Sequence, residues 1–411
     1  MKTVVVTGGG AAGMMAAGAA AEHSARVVLL EKNAGLGKKL LLTGGSRCNI
    51  TNTADVTDFV GAVLRNPNFL YSALYGFDSL ALRDFLHGLG LATKVEDAGR
   101  VFPSSDDAVD VLKVFARYLD NAGVEVLTNA SVSGIVPIEA SGFTVMLEDG
   151  REISADAVVI ATGGLSAPHT GSTGDGHRIA RDLGHDVTKL YPALVPLTVQ
   201  KPDVSGLMGL SLSDVDLMVK REGKIVYKDF GDVIFTHFGL SGPMALRASA
   251  YLAKELHLPH NFCLDFVPSK SEKDLDGDII KVFGQNPNRD VKNCLTGIFP
   301  ARLAAVLLAA TGVGEDTKAH DVTKEMRKAL CRNIKAFQLE IAGSLGFGAA
   351  VITCGGVNCD EIDPGTMQSK LVPGLYFAGE ILDVDALTGG YNLTIAFSTG
   401  RLAGKSAAAP N

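Results

Sequence analysis

Cysteine is scarce in this chain, and scattered. Six occur in 411 residues, at Cys48, Cys263, Cys294, Cys331, Cys354 and Cys359, and none form the CxxC pairs of a zinc site. They read as reduced thiols of a cytoplasmic protein, and no metal site is expected. Long apolar runs are lacking too: Ala304 to Ala310 is too short to cross a bilayer. Positive charge is not in excess. With 38 Lys and Arg against 45 Asp and Glu, the net charge of −7 argues against a protein that grips a nucleic-acid backbone. No basic stretch interleaved with aromatics, internal repeat or low-complexity tract occurs. What is present, 46% hydrophobic and 20% charged residues, suits a globular chain of two or three domains.

The first residues carry a specific pattern. A β-branched run, Thr3 to Thr7, meets Gly8-Gly9-Gly10-Ala11-Ala12-Gly13; a small-residue helix follows to about His23, and a second apolar run, Val27 to Leu30, ends in Glu31 and Lys32. Strand, glycine turn, helix, strand and acid form a dinucleotide-binding unit. Gly8 permits the tight turn, Gly10 lets backbone approach a pyrophosphate, and Gly13 lets helix and sheet pack closely. The helix N-terminus offers free N–H groups to phosphate, Glu31, eighteen residues past Gly13, can accept from ribose hydroxyls, and Lys32 beside it is a further expected cofactor contact. The uncharged stretch Thr3 to Ala21 superficially resembles an export signal. Its five glycines and its fit to the nucleotide unit favour retention in the cytoplasm.

Farther along, Phe59 to Gly90 has helical periodicity, and Ser104-Ser105 precedes a helix expected over Asp106 to Ala122. Short strands follow: Val124 to Leu127, Val132 to Ile138, Phe143 to Leu147 and Ala157 to Ala161, with Ser141-Gly142 and Asp149-Gly150 as turns. After Tyr191-Pro192, strand-like runs (Val195 to Val199, Leu212 to Lys220, Lys224 to Tyr227) predict a small antiparallel sheet or barrel. Phe235 to Pro243 reads as a loop ending at a helix start. Ser269 to Ile334 reads as helical, and the strand–glycine style returns at Ala349. The expected domains are a discontinuous nucleotide-binding domain (1–190 and 349–411), a β-barrel-like insert (191–268 and 335–348) and a helical insert (269–334).

Three further glycine clusters favour a flavin dinucleotide over a nicotinamide. They are Gly37-Lys38-Lys39 leading to Thr43-Gly44-Gly45-Ser46-Arg47-Cys48; Ala161-Thr162-Gly163-Gly164; and Gly379-Glu380 followed by Gly389-Gly390-Tyr391-Asn392-Leu393. FAD is long, so the chain must return to it several times with close-approaching backbone. Glu380 is expected at the ribityl or pyrophosphate region. A helix over Tyr391 to Ala407 would aim its N-terminus at the isoalloxazine and stabilise negative charge on the reduced ring.

Over nearly its whole length the chain resembles the YhiN/BaiN-like flavoproteins, a family with aminoacetone-oxidase-like members. The matching motifs are Gly37 to Leu40, Thr43 to Asn52, Gly99 to Pro103, Gly171 to Gly176, Phe235 to Pro243 and Leu382 to Leu393. The resemblance implies an α/β fold: an FAD-binding Rossmann-type domain, like those of glutathione reductase and fumarate reductase, interrupted by a β-barrel and a small helical insert. It also implies a backbone contact from Val132 to the adenine and cofactor contacts from Gly174-Asp175. Two positions depart from the family pattern: Ser46 stands where a third glycine is usual, and His169 replaces a long polar residue.

Four residues are candidates for catalysis. Tyr391 and Asn392 open the helix at the expected flavin ring, with capping as the structural alternative. Cys48 lies inside a glycine motif and is read either as packing or as acting at the ring, and His237 either as a proton carrier or as a structural hydrogen bonder. Arg47 either holds an anion or forms a local ion pair. Cys354 and Cys359 read as packing residues in preference to a redox pair. The expectation is an FAD-dependent oxidoreductase with a small-molecule substrate, reducing a conjugated C=C with transiently bound NADH or NADPH. An amine or aminoketone oxidase using O2 is the alternative, and an RNA-modifying flavoprotein a more distant one. No nucleic-acid or membrane partner is expected, and the oligomeric state stays open.

Overall fold

A computed structural model describes residues 1–138 and 142–410. Contacts divide the chain into two compact units, Met1–Ala193 with Phe347–Asn411, and Leu194–Gly346. Of the expected Ser141-Gly142 turn, Ser141 lies outside the described residues.

The first unit is built on a parallel sheet of five strands. Their order is Leu375–Phe377, Ala157–Ile160, β1 (Thr3–Thr7), β2 (Arg26–Leu30) and Glu125–Leu127. Val4, Val5 and Val6 are wholly buried, as a strand covered on both faces requires. The helix α1 (Ala11–Glu22) follows β1 and is buried almost all round. Its run of Ala and Gly has a geometric cause. The C-terminal helix, Tyr391–Ala408, lies so close that a Cβ on its Gly400 or Gly404 would sit 2.4 Å from Ala12 O or 2.1 Å from Ala16 O. On another side, a Cβ at Gly18 would strike the Tyr118 ring at 2.0 Å. Phe115 and Phe397 stack at 5.1 Å, worth about 0.5–1.5 kcal/mol beyond burial, and tie the helix Ala108–Asn121 to the C-terminal one.

An antiparallel trio, Val132–Pro137, Phe143–Leu147 and Glu152–Ala155, fills the crossover before the strand Ala157–Ile160. The helix expected from Asp106 starts at Ala108, because Asp107 and not Ser104 or Ser105 supplies the cap, accepting from Val109 N at 2.9 Å.

The second unit holds a closed antiparallel barrel of six strands. In order they are Leu197–Lys201, Gly239–Ser241, Lys224–Phe235, Ser211–Arg221, Asn261–Asp265 and Phe337–Ser344. The stretch expected as a loop before Pro243 carries the barrel strand Gly239–Ser241: barrel closure imposes pairing on a segment with little strand character of its own. The helices Glu272–Gln285, Ala301–Thr311 and Lys324–Lys335 share one hydrophobic core with the barrel, where Leu330 and Ile334 join Phe262 and Leu264. Among the described residues no helix is long and apolar enough to cross a membrane.

Candidate functional site

The glycine turn after β1 divides its work among three residues. Gly8 has φ +98°, and a Cβ there would lie 2.6 Å from Ala161 O, so turn and packing both require glycine. Gly13 would place a Cβ 1.8 Å from Gly8 O. Gly10 differs: its φ of −82° suits any residue, and a Cβ built there meets nothing within 4 Å. Its missing side chain leaves open space over the start of α1, which has no side-chain cap and no acidic residue in its first turn. That is a receptive end for an anion.

Other candidates converge on this turn. Glu31 is buried. Its Oε2 accepts from Gly9 N at 2.8 Å, and its Oε1 accepts from Asn33 N and Nδ2 at 2.7 and 2.6 Å. Lys38 donates to Asn33 Oδ1 at 2.8 Å, and Gly37 N to Gly9 O at 2.9 Å. Ala161 N bonds Thr7 O at 2.9 Å, while Thr162 Oγ1 is buried with no partner among the described residues. Gly379, at φ +78°, packs where a Cβ would meet Ala12 Cβ at 2.7 Å, so the third cluster touches the first turn of α1.

A polar chain joins the rest. Lys39 Nζ pairs with Glu380 Oε2 at 2.6 Å, and Glu380 Oε1 accepts from Thr353 N at 2.8 Å. Thr353 Oγ1 accepts in turn from Leu165 N and Ser166 N at 2.8 and 3.0 Å, holding the turn that Gly163 and Gly164 open. Clusters far apart in sequence are thus fixed to one another by side chains. Lys32 and Asp175, both expected to touch cofactor, pair with each other at 2.7 Å. Burial alone would raise the Asp175 carboxyl, but Lys32 and Thr173 hold it below its ordinary value. Gly174, at φ +83°, precedes the helix Asp175–Asp182.

The motif Thr43 to Cys48 is a left-handed turn. Gly44, Gly45, Ser46 and Cys48 have φ of +59°, +68°, +68° and +59°. Ser46 thus adopts the conformation glycine would take freely, at a cost of about 1–2 kcal/mol. Gly45, like Gly10, has nothing within 4 Å of a built Cβ. Cys48 is fully buried, and burial pushes its thiol up to about 12, so at neutral pH it packs as a thiol and supplies no thiolate. Arg47 is held in an ion-pair cluster. It lies 4.1 Å over the Phe102 ring and bonds Glu96 and Asp106, with Lys94 completing the group.

Asn392 has a structural part at the opening of the C-terminal helix. Its Oδ1 accepts from Ala386 N at 3.0 Å, and its Nδ2 donates to Ala386 O and Leu387 O at 2.8 and 3.1 Å. The amide thus spends both its oxygen and its nitrogen on the preceding loop. Tyr391 stands edge-on to Phe59 at 5.1 Å, and burial together with Asp58 raises its phenol. Leu393 is half-buried in the same first turn. Gly390, at φ +99°, would bring a Cβ to 2.1 Å from Thr51 O. His237 is exposed in the second unit, with its ring 5.0 Å from Phe238. Val132 begins a strand paired with Leu147. None of the six cysteines forms a disulfide. Among the described residues no cluster of three or more His, Cys, Asp or Glu could hold a metal.

Sequence reasoning missed Asn33, Thr353, Arg65 and Asp385. Asn33 follows the flagged Glu31-Lys32, and Asp385 lies in a matched motif. Nothing in the sequence signals that Arg65 meets Asp385 across 320 positions.

This geometry accompanies a match of residues 2–406 to the family described as HI0933-like protein Rossmann domain. The chain belongs to the HI0933-like family of FAD-dependent oxidoreductases. Two relatives align over most of both chains. The 3-dehydro-bile acid delta(4,6)-reductase of Clostridium scindens is 34% identical over 93% of each chain. The ribosomal RNA dihydrouridine synthase of Escherichia coli is 32% identical over 91% of this chain and 90% of that protein. Among solved structures, the 3-ketosteroid-delta4-(5alpha)-dehydrogenase of Rhodococcus jostii superposes with a TM-score of 0.55 at 16% identity, covering 100% of this chain and 97% of the other. At that identity the likeness is one of fold: the FAD-binding Rossmann architecture expected from the glycine clusters. The HI0933-like chain also fits the cofactor on its own features. Gly10 and Gly45 leave open space, the α1 N-terminus is uncapped, the buried Glu31 carboxylate braces the glycine turn through Gly9 N, and Thr162 Oγ1 has no partner among the described residues.

Proposed function

We propose that this HI0933-like protein reduces a carbon–carbon double bond conjugated to a carbonyl in a small organic acceptor, with electrons drawn from transiently bound NADH or NADPH. The observation that carries the reading is the 34% identity, over 93% of each chain, to a protein named as a delta(4,6)-reductase of a 3-dehydro-bile acid. Double bonds at positions 4 and 6 of a 3-oxo steroid are conjugated to its carbonyl. Dihydrouridine is uridine with the C5=C6 bond saturated, and that bond is also conjugated to a carbonyl. Relatives with unlike substrates thus share one bond type, which polarises toward hydride at the β-carbon and a proton at the α-carbon.

The residues that would hold FAD are the α1 turn at Gly10, Glu31 at the ribose, and the glycine turns at Gly45 and Gly390. Bound FAD would supply the hydride chemistry. Tyr391, its phenol raised by burial and Asp58, stays protonated at neutral pH and is the candidate proton donor.

Ribosomal RNA as the acceptor is the second reading, favoured by the dihydrouridine synthase relatives and opposed by the net charge of −7. The test is the anaerobic visible spectrum of the purified protein with NADPH, then NADH, followed by acceptor. Bleaching, then stoichiometric reoxidation by a 3-oxo-Δ4 compound, is expected. Reoxidation by unmodified ribosomal RNA alone would move the function to RNA. An oxidised band unchanged by either nicotinamide would overturn the electron source and favour the oxidase alternative.

A further inference from the structure

The turn that leads into the C-terminal helix is attached to a distant segment by a buried ion pair. Asp385 Oδ2 lies 2.5 Å from Arg65 Nη1, with the two side chains 1% and 13% exposed. The backbones around them are joined as well. Leu64 N donates to Asp385 O at 2.8 Å, Leu387 N to Ala62 O at 3.0 Å, and Val63 bridges Ala386. One residue farther, the Asn392 amide holds Ala386 and Leu387. The pair is therefore a single residue from a group bonded to the first turn of Tyr391–Ala408.

That first turn carries no side-chain cap and no acidic residue, so its end is positive. The segment leading to it is acidic: Asp383 is buried with Oδ1 unpartnered among the described residues, Asp385 is almost fully buried, and Asp58 acts on Tyr391 of the first turn. Arg65 offsets the charge of Asp385. A buried carboxylate stripped of its guanidinium is costly, and its field opposes any negative charge gathering at the nearby helix end.

We propose that Arg65 and Asp385 are a positioning pair that sets the charge at the N-terminus of the C-terminal helix, and thereby the reduction potential of the flavin held there. The inference rests on the FAD reading above. Reduction adds negative charge to the ring, so a more negative surrounding favours the oxidised form.

The test reads the midpoint potential of the FAD-loaded protein by equilibration with a reference dye, for wild type, Arg65→Met, Asp385→Asn and the double variant. The denaturation midpoint of each flavin-free chain reports folding separately. Arg65→Met should weaken binding of reduced relative to oxidised FAD about tenfold, about 30 mV downward for two electrons. Asp385→Asn should shift the ratio upward, and the double variant should return to within threefold of wild type. A purely structural role would move both single variants the same way; that outcome, or singles within threefold of wild type, overturns the proposal. Arg65→Lys keeps the charge and should keep the wild-type potential even if Arg65→Met fails to fold; a Lys variant shifted tenfold also overturns it. Wild-type protein that takes up no FAD would refute the functional reading instead, which separates the two failures.

Discussion

Gly10 and Gly13 sit three residues apart in one turn, yet the structure demands opposite results from the same substitution. At Gly13 a methyl group would start 1.8 Å from Gly8 O, and at least 3.0 Å is needed. The backbone must open by about 1.2 Å between α1 and the turn. Overpacking costs about 1–3 kcal/mol, occasionally more, and a main-chain obstacle leaves no flexible side chain to give way. At Gly10 the backbone suits alanine, and the methyl meets nothing within 4 Å. Loss of a glycine N-cap costs up to about 1 kcal/mol, and reduced freedom of the unfolded chain returns about 0.4–1 kcal/mol. Gly10→Ala should therefore leave the flavin-free protein within about 1 kcal/mol of wild type, while filling the space proposed above for the pyrophosphate. A mismatch of about 1–3 kcal/mol there weakens FAD about 5- to 150-fold. Urea denaturation of flavin-free protein and fluorescence titration with FAD measure the two effects independently. Gly13→Ala should fail the first assay and Gly10→Ala the second. If Gly10→Ala, and then Gly10→Val, bind FAD with wild-type affinity, the open space is not the phosphate cradle.

Two further predictions concern buried titrating groups. His177 Nε2 donates to Ile381 O (3.1 Å) with Nδ1 unpartnered among the described residues, and burial lowers its pKa from the ordinary 6.5. The folded state thus binds a proton less readily than the unfolded state, and stability falls as pH drops below about 6.5, by at most about 1.4 kcal/mol per pH unit. His177→Gln should flatten that slope between pH 7 and 5; equal slopes in variant and wild type would rule the effect out. Burial pushes Cys48 and Cys359 up to about 12 and Cys331 to about 11, and all six cysteines are buried. Native protein at pH 8 should react with a disulfide reagent only as fast as it unfolds, releasing six equivalents in denaturant. A thiol titrating within seconds in the native state would contradict this.

The N-terminal unit was legible in the sequence because its signals are local. A β-branched run buried on both faces, a glycine turn, a small-residue helix and an acid after the second strand lie within thirty-one residues, and each has a steric cause that one position expresses. The later glycine clusters were legible for the same reason: a positive φ or a close backbone contact leaves glycine little competition. The roles of longer side chains were not legible. Whether Asn392 faces outward or clamps Ala386, whether Lys32 meets a ligand or Asp175, and whether Arg47 is open or held by Glu96 and Asp106 depend on what lies across the fold. The barrel strand Gly239–Ser241 and the ion pair between Arg65 and Asp385 depend on it even more, since neither segment carries a pattern that names its partner. Backbone conformation and burial are written residue by residue. Pairing between charges and between strand edges arises only when distant segments meet, and that was left for the tertiary structure to decide.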